Sequence, residues 1–194
     1  MSSEKFSPFS KRTESWSAEA NPLSSKLSQV RASGQKILDL GAAPGSWAQY
    51  CSQKIGPSGL IIGLDLASIS LTLPNAIFLE ADITQTDLKS LLAEHLKEND
   101  PKFDVVLSDM APKTTGVRIR DQALSYALAQ LAFETACTYL RPGGLFVCKI
   151  FQSEDFEQFR NDVKNKFREI KILKPESTRK ASKEIFVIGL KKVQ

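Results

Sequence analysis

Short apolar runs of strand length alternate with amphipathic helical segments along most of the chain, and this alternation constrains the fold more than any other feature. Helical patterns lie near 46–55, 86–98, 120–140 and 153–166. Because strands separated by helices indicate right-handed βαβ crossovers and a parallel sheet, the sequence predicts an α/β fold. The seven predicted strands are KILDL (36–40), LIIGLDL (60–66), AIFLE (76–80), FDVVLSD (103–109), LFVCKIF (145–151), REIKILK (168–174) and EIFVIGL (184–190).

The two ends of the predicted domain depart from this regular pattern. Only PESTRKASK separates the last two strands, which is too short for a helical crossover, so the seventh strand is predicted to run antiparallel to the sixth. At the other end, Leu23, Leu27 and Val30 have helical spacing and Gly34 follows as a stop, which predicts a first helix carrying Lys26. We expect residues 1–18 to be a polar, partly ordered lead-in and residues 19–194 to form a single domain.

Several classes of protein are disfavoured by what the chain contains. It has three cysteines without CxxC spacing and one histidine, His95, in a polar stretch, so neither a metal site nor a Ser-His-Asp triad is expected. No apolar run approaches the roughly 18 residues of a membrane span, and the first residues do not resemble a signal peptide. The sequence therefore predicts a cytoplasmic protein without a membrane partner.

The end of the first strand carries the clearest ligand-binding pattern, Asp39-Leu-Gly-Ala-Ala-Pro-Gly-Ser-Trp47. Gly41 and Gly45 let the backbone approach a ligand closely, and Ser46 is expected to cap the helix that follows. The segment is neither GxGxxG nor a GK[ST] phosphate loop, which disfavours dinucleotides and nucleoside triphosphates. A cofactor loop is predicted, with an ordinary tight turn as the alternative.

Two carboxylates follow the next two strands. Asp65 ends the second strand, where an acidic side chain can accept hydrogen bonds from ribose hydroxyls, and Asp82 comes just after the third. Either one could instead be a helix cap or an exposed loop charge. Together with the glycine loop they indicate a nucleoside-bearing cofactor that is not held by phosphate groups.

Lys149 is the unusual residue of the fifth strand, since it is flanked by strongly apolar neighbours. An unpaired buried lysine is costly, so Lys149 needs a carboxylate partner, and Asp109 at the end of the fourth strand is the nearest candidate. Lys26 and Glu184 can reach the same edge of the sheet. Each of the four could alternatively be an ordinary salt-bridge member.

The stretches DLGAAPGSWAQY, LSDMAPKTTG, LRPGGLFVCKIFQ and KPESTRKASKEIFVIG occur in an order and spacing that resemble the FtsJ/RrmJ-type RNA ribose 2′-O-methyltransferases. The resemblance runs from about Lys26 to Leu190. It implies a Rossmann-like fold, the cofactor S-adenosylmethionine (SAM), and Lys149 as the group that accepts or steers the proton. The implied catalytic tetrad is Lys26, Asp109, Lys149 and Glu184, and the implied SAM pocket is Gly45, Trp47, Asp65, Asp82 and Asp109.

The sequence departs from the family pattern at two places. Ser46 stands where a second glycine would follow the proline loop, and it is small enough to keep the pocket. NPLSS precedes Lys26 where the family has a basic and aromatic run, which affects the pose of Lys26 and RNA contacts of the N-terminal segment. Two states of Lys149 stay open: burial and the charge of Lys26 favour a neutral base, whereas Asp109 and Glu184 favour a charged orienting group.

The distribution of charge suggests the partner. The net charge is +4, but residues 161–194 carry +6 and residues 1–38 carry +3, so the centre is acidic. With the resemblance, these basic ends imply RNA binding and a monomer that methylates a uridine of 23S rRNA in the large ribosomal subunit. The alternatives are a tRNA or mRNA-cap methyltransferase, a small-molecule O-methyltransferase and a non-catalytic ribosome-assembly factor. The candidate RNA contacts are Lys11, Arg12, Lys113, Arg118, Lys171, Lys174, Arg179, Lys180 and Lys183.

Overall fold

The structure, a computed structural model, describes residues 26–30, 32–174 and 184–194. In this part of the chain seven strands and four helices of at least nine residues follow one another. They are β1 (Lys36–Leu40), α1 (Ser46–Ile55), β2 (Leu60–Asp65), β3 (Ala76–Glu80), α2 (Leu88–Leu96), β4 (Phe103–Ser108), α3 (Arg118–Tyr139), β5 (Leu140–Phe151), α4 (Phe156–Lys166), β6 (Phe167–Leu173) and β7 (Glu184–Lys192).

All seven strands form one sheet in the order β3-β2-β1-β4-β5-β7-β6. Strands β1 to β5 are parallel to their neighbours among themselves, and β7 runs antiparallel to both β5 and β6. The predicted α/β fold and its antiparallel last strand are therefore confirmed. The strand order reverses between β1 and β4, and in open sheets of this kind ligands bind beyond the carboxyl ends of the strands at that point.

Each face of the sheet is covered by an apolar core, so β1, β2, β4 and β5 are buried on both sides, as strands of parallel sheets usually are. One core packs against α3 and α4, where the small residues Ala129, Ala132 and Ala136 are buried. The other packs against α1 and includes Leu27 and Val30. Among the described residues no helix is both long and apolar enough to cross a membrane.

Two expectations differ from the structure. Strand β5 begins at Leu140 rather than Leu145, because Leu140 pairs with Phe103 before a bulge shifts the register of β4 against β5. Of the predicted first helix, only residues 26–30 are described; Lys26 is helical, and the N–H of Val30 donates to the carbonyl of Leu27 at 2.9 Å. The predicted lead-in, residues 1–18, lies outside the described residues.

Candidate active site at the carboxyl edge of the sheet

An ion pair between Lys149 and Asp109 lies at the carboxyl ends of β4 and β5. Lys149 Nζ is 3.0 Å from Asp109 Oδ1, and the Lys149 side chain is only 10% exposed, whereas that of Asp109 is 35% exposed. The expected pairing of these two residues is therefore present. Lys149 is therefore largely enclosed, whereas Asp109 is open to solvent at the carboxyl edge of the sheet.

Phe186 of β7 connects this pair with two other predicted site residues. It lies opposite Lys149 in the register between β5 and β7. Its ring lies 3.9 Å from Lys26 Nζ, measured to the centroid, and 5.8 Å from the ring of Trp47, centroid to centroid. A cation over an aromatic face is stabilised by the ring quadrupole, so Phe186 holds the Lys26 ammonium beside the Lys149 strand.

The pKa of Lys26 responds to the charges of the other three residues of the predicted tetrad. Burial lowers the pKa of Lys26 and the positive charge of Lys149 acts in the same direction, whereas the negative charges of Asp109 and Glu184 oppose them. Glu184 opens β7 directly opposite Phe151, two residues beyond Lys149. The structure thus brings Lys26, Asp109, Lys149 and Glu184 to one edge, as the sequence predicts.

The glycine loop lies against the same crevice. Gly41 has a φ of 74°, and a Cβ atom there would come within 2.8 Å of Met110, so β1 and the segment after β4 touch at this point. Gly45 adopts a φ of 108° and is the N-cap of α1. Ser46 is the first residue of α1, and no side chain caps this helix, so the expectation that Ser46 is the cap is wrong. Since no side chain of the described residues caps this end of α1, its N-terminal N–H groups are available to a ligand.

The carboxylates after β2 and β3 also hold the loops around them. Asp65 accepts hydrogen bonds from the N–H of Ala43 at 2.9 Å and from the N–H of Ala67 at 2.9 Å, which ties the glycine loop to β2. Asp82 Oδ1 accepts from both the N–H and the hydroxyl of Thr84, and the side-chain bond is the main reason that its pKa is lowered. Because an ionised carboxylate has about four acceptor positions, each can still bind a hydroxyl or amine of a ligand.

Asp39 belongs to the site and was not singled out by its sequence pattern. It is fully buried in β1, and neither carboxylate oxygen has a hydrogen-bond partner among the described residues. Burial raises its pKa to about 7, and the negative charges of Asp109 and Asp65 act in the same direction. The available signal was a charged residue in the middle of the apolar run KILDL.

The carboxylates and the glycine loop fit SAM, which carries a positive sulfonium and an amine as well as a ribose. Asp109 places negative charge near the switch point, Asp39 adds to it when ionised, Asp65 ends β2 and Asp82 follows β3. An unpartnered buried carboxyl such as Asp39 is costly, and a cationic ligand offsets that cost. Within the described residues no cluster of three or more His, Cys, Asp or Glu is arranged to hold a metal ion.

Fold and family together define a Rossmann-like methyltransferase. The model of the FtsJ-like methyltransferase family matches residues 23–192, and the chain belongs to that family. Two relatives carry the name ribosomal RNA large subunit methyltransferase E. The one from Bdellovibrio bacteriovorus is 48% identical over 82% of this chain and 80% of its own length. The one from Desulfatibacillum aliphaticivorans is 53% identical over 82% of this chain and 75% of its own length.

Solved structures share the fold. A ribosomal RNA methyltransferase from Plasmodium falciparum superposes with a TM-score of 0.75 at 24% identity, covering 88% of this chain and 93% of that one. Aeropyrum pernix fibrillarin with bound SAM superposes with a TM-score of 0.60 at 19% identity, covering 90% and 76%. At these identities the likeness concerns the fold, and the roles of individual residues depend on the geometry above.

Replacement of Gly45 by alanine is expected to raise the dissociation constant of SAM by at least about tenfold. The φ of 108° is unfavourable for an L-residue, and the new Cβ would lie 2.6 Å from Leu71 Cδ2, so the loop must move. Isothermal titration with SAM measures the change. Gly143→Ala is the matched control, because Gly143 also has a positive φ of 79° but nothing within 4 Å of the added Cβ. Equal SAM affinity in both variants and the wild type would contradict a binding role for this loop.

Proposed function

We propose that this protein transfers a methyl group from SAM to the ribose 2′-hydroxyl of a uridine in the large-subunit ribosomal RNA. The observation that carries the proposal is the pair of Lys149 and Asp109 at the switch point, with Lys26 and Glu184 beside it. The names of the close relatives support the large ribosomal subunit as the source of the RNA. A ribose hydroxyl is a poor nucleophile until its proton is drawn away, which is the task such a cluster can perform.

In this proposal SAM supplies a methyl group already activated by the sulfonium charge. Lys149 accepts or steers the proton of the 2′-hydroxyl, and Asp109 orients the Lys149 amine through the 3.0 Å ion pair. Lys26 and Glu184 position the ribose, with Lys26 held over the Phe186 ring. Aligning the reacting atoms can lower the barrier by about 7–11 kcal/mol in well-oriented cases, so small displacements of these residues matter.

The proposed cofactor contacts are Gly45, Trp47, Asp65, Asp82 and Asp109. Trp47 is 5% exposed and packs against Phe186, so its ring supports the wall of the pocket. We also propose that residues 19–194 act as one domain, that the protein is a monomer, and that it works in the cytoplasm on ribosomal subunits.

Basic residues near the site supply candidate RNA contacts. Lys113 and Arg118 are exposed, and Lys174 follows β6 at the end where Leu173 pairs with Phe186. Lys171 is 3.6 Å from Glu169 Oε1, which partly neutralises it. The other predicted contacts, Lys11, Arg12, Arg179, Lys180 and Lys183, lie outside the described residues.

Methyl transfer from labelled SAM to large ribosomal subunits tests the proposal, with free rRNA and tRNA in parallel reactions. We expect label in the large-subunit RNA and, after nuclease digestion, in 2′-O-methyluridine. When a lysine of the site is replaced in the same assay, Lys102→Ala serves as the control, because Lys102 is exposed and pairs with Asp100 on the surface. Label only in tRNA, in a base, or in a small hydroxylated molecule would refute the proposed substrate.

A further inference from the structure

The loop after β4 and the first turn of α3 expose apolar side chains beside the proposed active site. Four large apolar residues are exposed in the described part of the chain. Two of them lie here, Val117 at 58% and Ile119 at 80%, and a third, Leu124 at 40%, lies in the second turn of α3. The fourth, Leu66, follows β2. Single exposed apolar residues are common, but a cluster at the mouth of a site indicates a contact surface.

This segment is held in a defined conformation. Asp121 Oδ1 accepts hydrogen bonds from the N–H and the hydroxyl of Thr115, both at 2.8 Å, and Oδ2 accepts from the N–H of Gly116 at 3.3 Å. The N–H of Val117 donates to the Thr115 hydroxyl at 3.3 Å. Val117 and Ile119 are therefore presented by a turn that is already organised, which lowers the entropy cost of binding.

Two contacts place the start of α3 next to the reacting centre. Gln122 Nε2 donates to the carbonyl of Gln152 at 2.6 Å, and Ser125 Oγ accepts from the N–H of Phe151 at 3.0 Å. Gln152 is three residues beyond Lys149, in the segment that leaves β5. A macromolecule that brings a group to Lys149 at this edge therefore passes close to the first turn of α3.

The charges around the apolar cluster favour RNA as the partner. Residues 110–120 contain Lys113, Arg118 and Arg120 and no acidic residue, and the carboxylate of Asp121, which follows, is buried and accepts hydrogen bonds from Thr115 and Gly116. All three basic side chains are exposed, and none forms a salt bridge with a residue that the structure describes. Guanidinium groups bind phosphate and also stack on bases, so apolar residues interleaved with arginines suit an unstacked nucleic acid strand.

We propose that Lys113, Val117, Arg118, Ile119 and Arg120 form an RNA platform, on which Val117 and Ile119 pack against bases flanking the methylated nucleotide while the basic residues bind phosphates. The inference rests on the proposed function. A 2′-hydroxyl must come within hydrogen-bond reach of Lys149, so the nucleotides that flank the target pass over the surface next to this site. Where those nucleotides are single-stranded, the faces of their bases are open to packing, and the platform covers them.

The affinity of the protein for large ribosomal subunits and for protein-free large-subunit rRNA, measured at several salt concentrations, tests the platform. Ile119→Ser is expected to weaken binding about tenfold at every salt concentration, because it removes an apolar side chain and no charge. Arg118→Gln with Arg120→Gln is expected to reduce the slope of log affinity against log salt by about 0.7 for each phosphate that the protein no longer neutralises. Ile119→Met, which stays apolar, should retain binding.

Controls separate the platform from other effects. Lys164→Gln removes an exposed charge from α4, away from the platform, and should change neither affinity nor slope beyond the small effect of net charge. SAM affinity should be unchanged in Ile119→Ser, which shows that the fold and cofactor site are intact.

Two results would overturn the platform. Unchanged RNA binding and methylation in Ile119→Ser would show that the apolar side chain does not touch the RNA. Weaker binding to subunits with unchanged binding to protein-free rRNA would show that a ribosomal protein is the partner instead. If wild-type protein methylates no ribosomal RNA, the proposed function fails, whereas a methylating wild type with an unaffected Ile119→Ser variant refutes the platform alone.

Discussion

Lys149→Ala is expected to lower kcat for methyl transfer by about 10²- to 10⁴-fold, the usual contribution of a positioned proton-transfer group. Its side chain is 10% exposed and lies 3.0 Å from Asp109 Oδ1, so a bulk water molecule does not simply replace it. SAM binding should remain measurable, because the glycine loop and Asp65 are untouched. Single-turnover transfer to large ribosomal subunits and calorimetric titration of SAM provide the two measurements.

Lys149→Arg distinguishes the two states left open for this residue. Arginine keeps the positive charge but stays protonated, so it can orient the ribose and cannot act as a neutral base. Activity near that of wild type in Lys149→Arg would favour a charged orienting group, and loss equal to that of Lys149→Ala would favour the base. Normal turnover by Lys149→Ala would refute the assignment, and Lys102→Ala should leave transfer unchanged.

Asp39→Asn is expected to stabilise the cofactor-free protein above pH 7, although Asp39 lies in the site. The pKa of this fully buried carboxyl is raised from 3.8 to about 7, so the folded state binds the proton more tightly than the unfolded state does. The stability that protonation of Asp39 contributes to the folded wild-type protein is therefore complete below pH 4 and is lost as the pH rises through 7. A shift of this size corresponds to about 4 kcal/mol at most, and the asparagine variant removes this pH dependence.

Chemical denaturation of both proteins at pH 5 and pH 8 measures the effect. The difference in unfolding free energy between variant and wild type should be clearly larger at pH 8 than at pH 5, and Asp100→Asn, an exposed carboxylate, should show no such difference. The groups facing Asp39 are Asp109, Asp65 and Cys51 of α1. At pH 8 we also expect Asp39→Asn to bind SAM more weakly, with a smaller change for S-adenosylhomocysteine, which lacks the sulfonium charge. A pH-independent difference in stability would contradict the raised pKa.

The sequence predicted strand and helix positions well because the period of the apolar residues is a local property. Strands β1 and β3 and helix α1 have the predicted bounds. The start of β5 was missed, since the pairing of Leu140 with Phe103 depends on a bulge between two strands. Ser46 was predicted as a cap from its residue type, whereas the loop places Gly45 at that position with a φ that glycine favours.

Some residues of the candidate site could likewise be predicted from the sequence, and others could not. Asp109 and Lys149 were predicted to pair because an apolar strand makes an unpaired lysine costly, and the structure has that pair. Phe186 could not be predicted as a site residue, since a phenylalanine in a buried strand is ordinary. The register of β7 against β5 places it opposite Lys149, and the position of Lys26 in the structure places that ammonium over its ring.

By itself, the sequence determined the α/β class, the antiparallel last strand, the position of the glycine loop and the residues that carry charge at strand ends, because spacing and residue type encode these locally. Only the tertiary structure decided that Lys26 lies over Phe186, that Asp39 has no hydrogen-bond partner among the described residues, and that the start of α3, with Ile119 exposed, contacts the segment that leaves β5. These properties arise from contacts between strands and loops far apart in the chain, and burial and electrostatic environment exist only once those contacts form.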